Sequence, residues 1–211
     1  MNHPLQCQCG TVKGYVSPPE MANRALCYCK DCQAFAHFLD RPGDPVLNEL
    51  GGTEIVATLP KHVHFTQGLE ALACMSLSDR GLLRWYAGCC NTPIGNTPRD
   101  FKTPYVGLIH SCLGKGAPSL DDSFGPVRMV LQTQSAKGRV KSTPISNVVT
   151  LLKIMKSVIA TRIGGTYKRN PFFVEDSGTP IKQPRVLTKA ERTRVTSATE
   201  SNNGAQNDHA H

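Results

Sequence analysis

Cysteine is absent from this 211-residue chain beyond residue 112: the ninth and last stands at that position, and five of the nine lie in the first 32 residues. An odd number of thiols crowded into short clusters argues against a disulfide scaffold. It argues for thiolate ligands in a reducing compartment. Also missing is any run of about 18 apolar residues, which argues against a membrane-spanning helix. The opening Met-Asn-His-Pro-Leu-Gln-Cys has neither a basic n-region nor an apolar h-region, so no signal peptide is expected. No internal repeat is visible. These absences point to a cytoplasmic protein. Hydrophobic residues make up only 39% of the chain, enough for a modest core and one domain with extensions.

Acidic residues are scarce in one part of the chain only. Residues 1–122 carry 10 Lys+Arg against 11 Asp+Glu, a balance of −1, whereas residues 123–211 carry 14 against 5, a balance of +9. The cysteine-bearing part is therefore near neutral and the cysteine-free part basic. A basic segment suits an anionic partner such as nucleic acid or lipid, or simply a solvated surface. The charges are scattered singly rather than in runs, which favours the solvated surface and makes a nucleic-acid partner the weaker expectation.

Short β-rich stretches recur about every ten residues. They fall at residues 5–16 (a strand pair or hairpin), 53–59, 63–66, 71–77, 81–86, 105–110 and 127–133. That spacing predicts a mainly β, largely antiparallel domain. Residues 17–26 read as a loop, and Gln33–Leu39 as one or two helical turns. Asp44–Gly52 is loop-like. Residues 147–163 form the best helix pattern, with Val148, Leu151, Leu152, Met155, Val158 and Ile159 at i, i+3, i+4 spacing. Ser146 or Asn147 can cap its start and Gly164-Gly165 its end. Such a helix packs one stripe on the domain or, given Lys153, Lys156 and Arg162, lies on a membrane surface. The expected class is mainly β with a C-terminal helix, α+β overall. Three segments are expected: a zinc-binding β domain over 1–122, an extension with strand and helix over 123–187, and a disordered polar tail over 188–211. His209 and His211 in that tail read as incidental.

The chemistry is concentrated in the thiols. Cys27-Tyr28-Cys29-Lys30-Asp31-Cys32 places three cysteines in six residues, with no fourth at comparable spacing. A three-ligand zinc site keeps one coordination position for water or substrate, and bound zinc holds an incoming thiol as thiolate. Cys7 and Cys9 form another pair that needs two further ligands. Alternatives are a redox pair at Cys29 and Cys32, or buried free thiols. Cys112 reads as a core residue. Adding a thiol to a carbonyl also needs proton transfer. Asp31, inside the cysteine loop, is the best-placed candidate, followed by His37, His62 and His64.

Three motifs in order, Cys7-Gln8-Cys9-Gly10, then Cys27-Tyr28-Cys29-Lys30-Asp31-Cys32, then Arg84-Trp85-Tyr86 leading to Cys90-Asn91-Thr92-Pro93-Ile94, resemble the glutathione-dependent formaldehyde-activating enzyme family, also called the centromere-protein-V domain family. The resemblance covers roughly residues 5–112. It implies a β-tent-like fold with two zinc ions, one structural and held by the first C-x-C plus a later C-x-x-C, the other facing substrate and held by Cys27, Cys29 and Cys32. It also implies a carbon–sulfur lyase activity joining a thiol such as glutathione to an aldehyde. Because glutathione is anionic, Lys30, Arg24 or the basic segment is expected to help hold it. The chain departs from the family at Ala87, where the first thiol of the later C-x-x-C belongs, and at Asn91, where a glycine belongs. Cys89, adjacent to Cys90, or Cys74 on the preceding strand could supply the fourth ligand. The rival expectation is a zinc-stabilised binding module without turnover.

Overall fold

The computed structural model describes residues 2–41, 46–114 and 118–204, with side chains as far as Ser197. The short strands assemble into two sheets. Strands β1 (His3–Gln6), β2 (Lys13–Val16) and β5 (Val63–Gln67) make an antiparallel sheet in the order β1-β2-β5. The larger sheet uses β3 (Asn23–Cys27), β4 (Thr53–Thr58), β6 (Leu72–Ser76), β7 (Leu83–Ala87), β8 (Thr92–Thr97), β9 (Val106–Ile109), β10 (Val127–Leu131) and β11 (Arg185–Val186). Its order is β10-β3-β4-β9-β8-β7-β6-β11. Among the described residues there are four α-helices: α1 (Lys30–Leu39), α2 (Leu120–Phe124), α3 (Pro144–Ile163) and α4 (Lys189–Gly204). The class is mainly β, α+β overall, as the strand spacing predicts. The inner strands are antiparallel, but both edge strands, β10 beside β3 and β11 beside β6, run parallel to their neighbours.

The main core lies between the sheets. Trp85 is fully buried and packs on Phe172, with ring centroids 5.1 Å apart, and its Nε1 donates to Thr97 Oγ1 at 2.9 Å. Residues 170–184 are irregular chain packed on the core, with Phe172 and Phe173 both buried, and lead into the edge strand β11. The segment after residue 122 extends the same sheet and the same core as the cysteine-bearing part.

Several elements escape the pattern. Residues 23–27 form β3 rather than loop, because Arg24 is buried by pairing with Glu54 at 2.7 Å and with Asp121. A buried arginine satisfied by carboxylates looks like surface chain in sequence. β8, outside the β-rich stretches read from the sequence, contains Pro93 and Gly95, residue types that weaken a strand pattern. A Cβ on Gly95 would stand 2.9 Å from the Gly107 carbonyl oxygen, so glycine is what allows β8 to approach β9. The expected disordered tail is corrected over residues 189–204, which are helical. Thr188 and Glu191 form a reciprocal cap, with Thr188 N donating to Glu191 Oε2 at 2.9 Å and Glu191 N to Thr188 Oγ1 at 3.2 Å. Val195 then buries its side chain in the cluster that holds Phe35 and Leu39 of α1. His209, His211 and the start of the loop expected at Asp44 lie outside the described residues.

The α3 helix is the largest correction. Its apolar stripe does not pack on the domain: Val148, Leu151, Leu152, Met155 and Ile159 are exposed, and the buried residues are Thr150, Val158 and Thr161. Asn147 does not cap the helix. Its side chain docks on β10, with Oδ1 accepting from Val130 N at 3.0 Å and Nδ2 donating to Val130 O at 2.8 Å.

Candidate metal centres

Two groups of cysteine sulfurs form, and they are the groups of metal-ligating atoms found among the described residues. Cys7, Cys9, Cys89 and Cys90 make the first and Cys27, Cys29 and Cys32 the second, with all ligand atoms in each within 4.8 Å of one another. Cys74 joins neither. It lies on β6 opposite Trp85, buried, with its sulfur directed to the Met75 carbonyl. Cys112 is a core residue, as expected.

In the first group, Cys7 follows β1 and Cys9 sits at a turn closed by Gly10 N donating to Cys7 O at 3.0 Å. Gly10 takes a positive φ of 81°, which lets the chain reverse and aim both sulfurs the same way. Cys89 and Cys90 lie in the turn between β7 and β8, where Asn91 holds a left-handed φ of 54°. Asparagine tolerates that conformation, so it can stand where the family pattern has glycine. The Sγ–Sγ distances are 3.5 Å for Cys7–Cys9, 3.3 Å for Cys9–Cys89, 3.9 Å for Cys7–Cys89 and 3.9 Å for Cys89–Cys90. Tetrahedral thiolates about 2.3 Å from zinc lie about 3.8 Å apart, so the spacing fits zinc. Val12 N donates to Cys7 Sγ at 3.2 Å, and threonine hydroxyls meet the Cys9 and Cys90 sulfurs at 3.2 and 3.1 Å. Such contacts support negative sulfur. Hydrogen bonds from Thr11 hold the Cys9 thiol down to about 6. Partial desolvation of its sulfur and the neighbouring Cys9 push Cys89 up to about 12.

The second group is built by a strand running into a helix. Cys27 ends β3, Cys29 caps α1 by accepting from Cys32 N at 3.4 Å, and Cys32 lies in the first helical turn. The helix N-terminus favours negative charge there. Gln33 fixes the loop from behind, its buried amide donating to Tyr28 O at 2.8 Å and Ser135 O at 2.9 Å. Cys27 and Cys32 are buried and Cys29 half-buried, with Val46, Ile55 and Ile109 around them. Thiol contacts from Cys27 and Cys32 lower Cys29 to about 2, aided by the Cys32 amide and the Arg84 guanidinium. The same proximity to Cys29 pushes Cys27 up to about 11, and Cys32 is raised by both neighbours and by burial. Three thiolates this close repel one another, and a divalent cation is what would let all three ionise. Among the described residues, no fourth Cys, His, Asp or Glu joins them.

The proton-transfer candidates fare unevenly. Asp31 lies at the loop with its side chain 57% exposed, 3.7 Å from the buried Arg84. His37 is half-buried on α1 and its Nε2 has no protein partner. His62 meets Thr58 and His64 stacks on Tyr15, and neither belongs to a sulfur group. Arg24 is held by Glu54, Asp121 and the Gly125 carbonyl, which corrects the expectation that it binds substrate. Lys30 is exposed at the start of α1.

Two residues near the second group escape motif reading. Arg84 stacks over Phe35 at 5.4 Å and donates to Asn96 Oδ1 at 3.2 Å, so a cation sits buried beside three thiols. Its alternation in β7 could have flagged an inward charge. Tyr105 is pushed up to about 12 by burial and by Cys32 and Cys27, so its hydroxyl remains a proton donor. A Cβ on Gly107 would stand 3.0 Å from that oxygen and 2.8 Å from Ile55 Cγ2. Tyr105 precedes β9 by one residue, and no local pattern marks it.

The helix α1 links the groups. Cys29 and Cys32 sit at its start, while at its end Asn91 of the first group donates to Leu39 O at 3.2 Å. Ten residues at 1.5 Å each separate the groups by about 15 Å.

No curated protein matches the chain. A crystal structure of a Rhodobacter sphaeroides protein, a structural-genomics target, is similar over 61% of this chain and 99% of its own, with 17% identity and a TM-score of 0.41. A family model matches residues 1–183, which include both cysteine groups, β10 and α3, and by that match the chain belongs to the family of unknown function DUF6151.

Proposed function

We propose that the protein is a zinc-dependent enzyme of the carbon–sulfur lyase kind, joining a glutathione-type thiol to an aldehyde or cleaving the adduct. The observation that carries this reading is the unequal ligand supply: four sulfurs in one group and three, at a helix N-terminus, in the other. The four-sulfur group suits a closed structural zinc. At the other, zinc would leave a position for a thiol and hold it as thiolate near neutral pH. In the addition, the sulfur forms a bond to the carbonyl carbon as the C=O π bond breaks. The thiol gives up its proton and the oxygen gains one. Tyr105 is the chain's candidate donor to that oxygen. Arg84, fixed by Asn96 and Phe35, keeps positive charge beside the loop and orients Asp31. The motif resemblance described above supports the same reaction class.

The test is NMR exchange between formaldehyde and S-hydroxymethylglutathione, with and without the protein. Catalysed exchange is expected in wild type and absent in Cys29→Ser. Tyr105→Phe should retain its metal yet lose about 10²-fold or more in rate, the usual worth of a positioned proton donor. Unaccelerated exchange in metal-loaded wild type would refute the reading for this substrate pair. A binding module without turnover is the second reading, favoured by one observation: residues 123–174 contain nine Lys+Arg and no Asp or Glu.

A further inference from the structure

We propose that α3 is a docking helix for an anionic lipid bilayer, lying in the headgroup plane with its apolar face inserted and its lysines on the phosphates. The inference holds whether or not the three-thiol group turns over substrate. Ile145, Val148, Leu152, Met155, Ile159 and Ile163 recur every three or four residues, hence on one face, and are 46–82% exposed. The opposite face carries the buried Thr150, Val158 and Thr161. The helix is therefore anchored through that narrow face and through Asn147, and leaves the wider stripe of apolar side chains exposed. An apolar groove of about 480 Å³ between α3 and the sheet, lined by Met129, Leu131 and Leu151, deepens that surface. An apolar area of this extent marks a site of association.

Charge decides the occupant. Lys153, Lys156 and Arg162 are exposed on the helix itself. The stretch 123–174 holds nine cations and no acid, and among the described carboxylates Asp100 feels the charge of Arg162. A second copy would set these cations against their equals. Nucleic acid would meet aliphatic side chains where its phosphates need donors. An anionic bilayer accepts both features. No helix of the described residues is long and apolar enough to cross a membrane, so α3 lies on the surface.

The test is co-sedimentation of the full chain with phosphatidylcholine vesicles, pure or containing about 30% phosphatidylserine. Wild type is expected to bind the anionic vesicles at least tenfold more strongly, with the difference shrinking at high salt. Lys153→Glu with Lys156→Glu should weaken binding at least 25-fold, since each basic residue near the surface is worth about fivefold. Leu152→Glu with Ile159→Glu should abolish it. All four side chains are exposed, so circular dichroism and bound metal should match wild type. Equal binding to neutral vesicles, or no binding by wild type, would overturn the proposal. So would a wild-type dimer that Leu152→Glu dissociates, because the apolar face would then belong to a second copy.

Discussion

The two thiol groups use the same ligand in opposite settings. Cys7, Cys9, Cys89 and Cys90 come from two turns far apart in sequence, at the chain's start and after β7. Two of the four are exposed, and beside the bond from Gln8 N to Thr92 Oγ1 at 3.0 Å a bound ion would be what ties the two turns together. Cys27, Cys29 and Cys32 come from one continuous strand-to-helix segment already fixed by β3, α1 and the Gln33 amide. On the proposed zinc assignment the first arrangement would use metal to hold the fold, while the second has a fold ready to hold metal. Metal removal should therefore unfold through one group and silence chemistry through the other.

The largest expected effect is at the first group. Cys7→Ser should give unfolded or insoluble protein, because a structural zinc contributes on the order of 10 kcal/mol in small metal-bound domains. A chelator titration followed by circular dichroism checks the wild type, with sheet signal lost as the tighter-held metal leaves. Cys29→Ser, by contrast, should lose one metal and all thiol-exchange activity while keeping its sheet signal. A Cys29→Ser protein that unfolds like Cys7→Ser would erase the distinction.

Arg84→Met comes next. It removes a buried guanidinium that stacks on Phe35 and bonds Asn96, and leaves Asp31 without its partner. A loss of about 3 kcal/mol is expected, or roughly a 6–12 °C fall in Tm for a chain of this size. Scanning calorimetry measures it. Cys74→Ala should do least, about 1–2 kcal/mol for a small buried side chain, with both metals retained. Loss of a metal in Cys74→Ala would restore Cys74 as a ligand.

Acid offers a further separation. Metal binding competes with protons for thiolates, and two of the three sulfurs in the second group, Cys27 and Cys32, are raised. In the first group Cys9 and Cys90 are lowered while Cys7 and Cys89 are raised, and in the second Cys29 is lowered, so the thiol shifts balance between the groups. Ligand number then decides: with three thiolates against four, the second group should release metal first on acidification. Burial also lowers His3, His37 and His62 below their ordinary 6.5. Their stability contribution is full above about 6.5 and is lost as pH falls toward the lowered folded values, because the unfolded chain takes up protons first. Tm should fall below pH 6.5, and His3→Gln should flatten that limb.

The cysteines were legible in sequence because ligand spacing is a local property: the C-x-C-x-x-C loop and the C-x-C turn form as their patterns suggest. The resolution of Ala87 in favour of Cys89 over Cys74 was not, since it depends on which sulfur a three-dimensional turn brings within 4 Å of Cys7 and Cys9. Arg84 and Arg24 were hidden because a buried cation looks like a surface residue until its partners are known. Helix α4 had a readable Thr-x-x-Glu cap that polar composition outweighed. The α3 periodicity was correct, but periodicity cannot say whether an apolar face turns inward or outward.

Bound zinc per chain, measured by native mass spectrometry on wild type and Cys29→Ser, tests the two centres most directly. Two ions falling to one, with the sheet intact, is the predicted result. The same metal content in both proteins would contradict the assignment of Cys27, Cys29 and Cys32 as a separate, open centre.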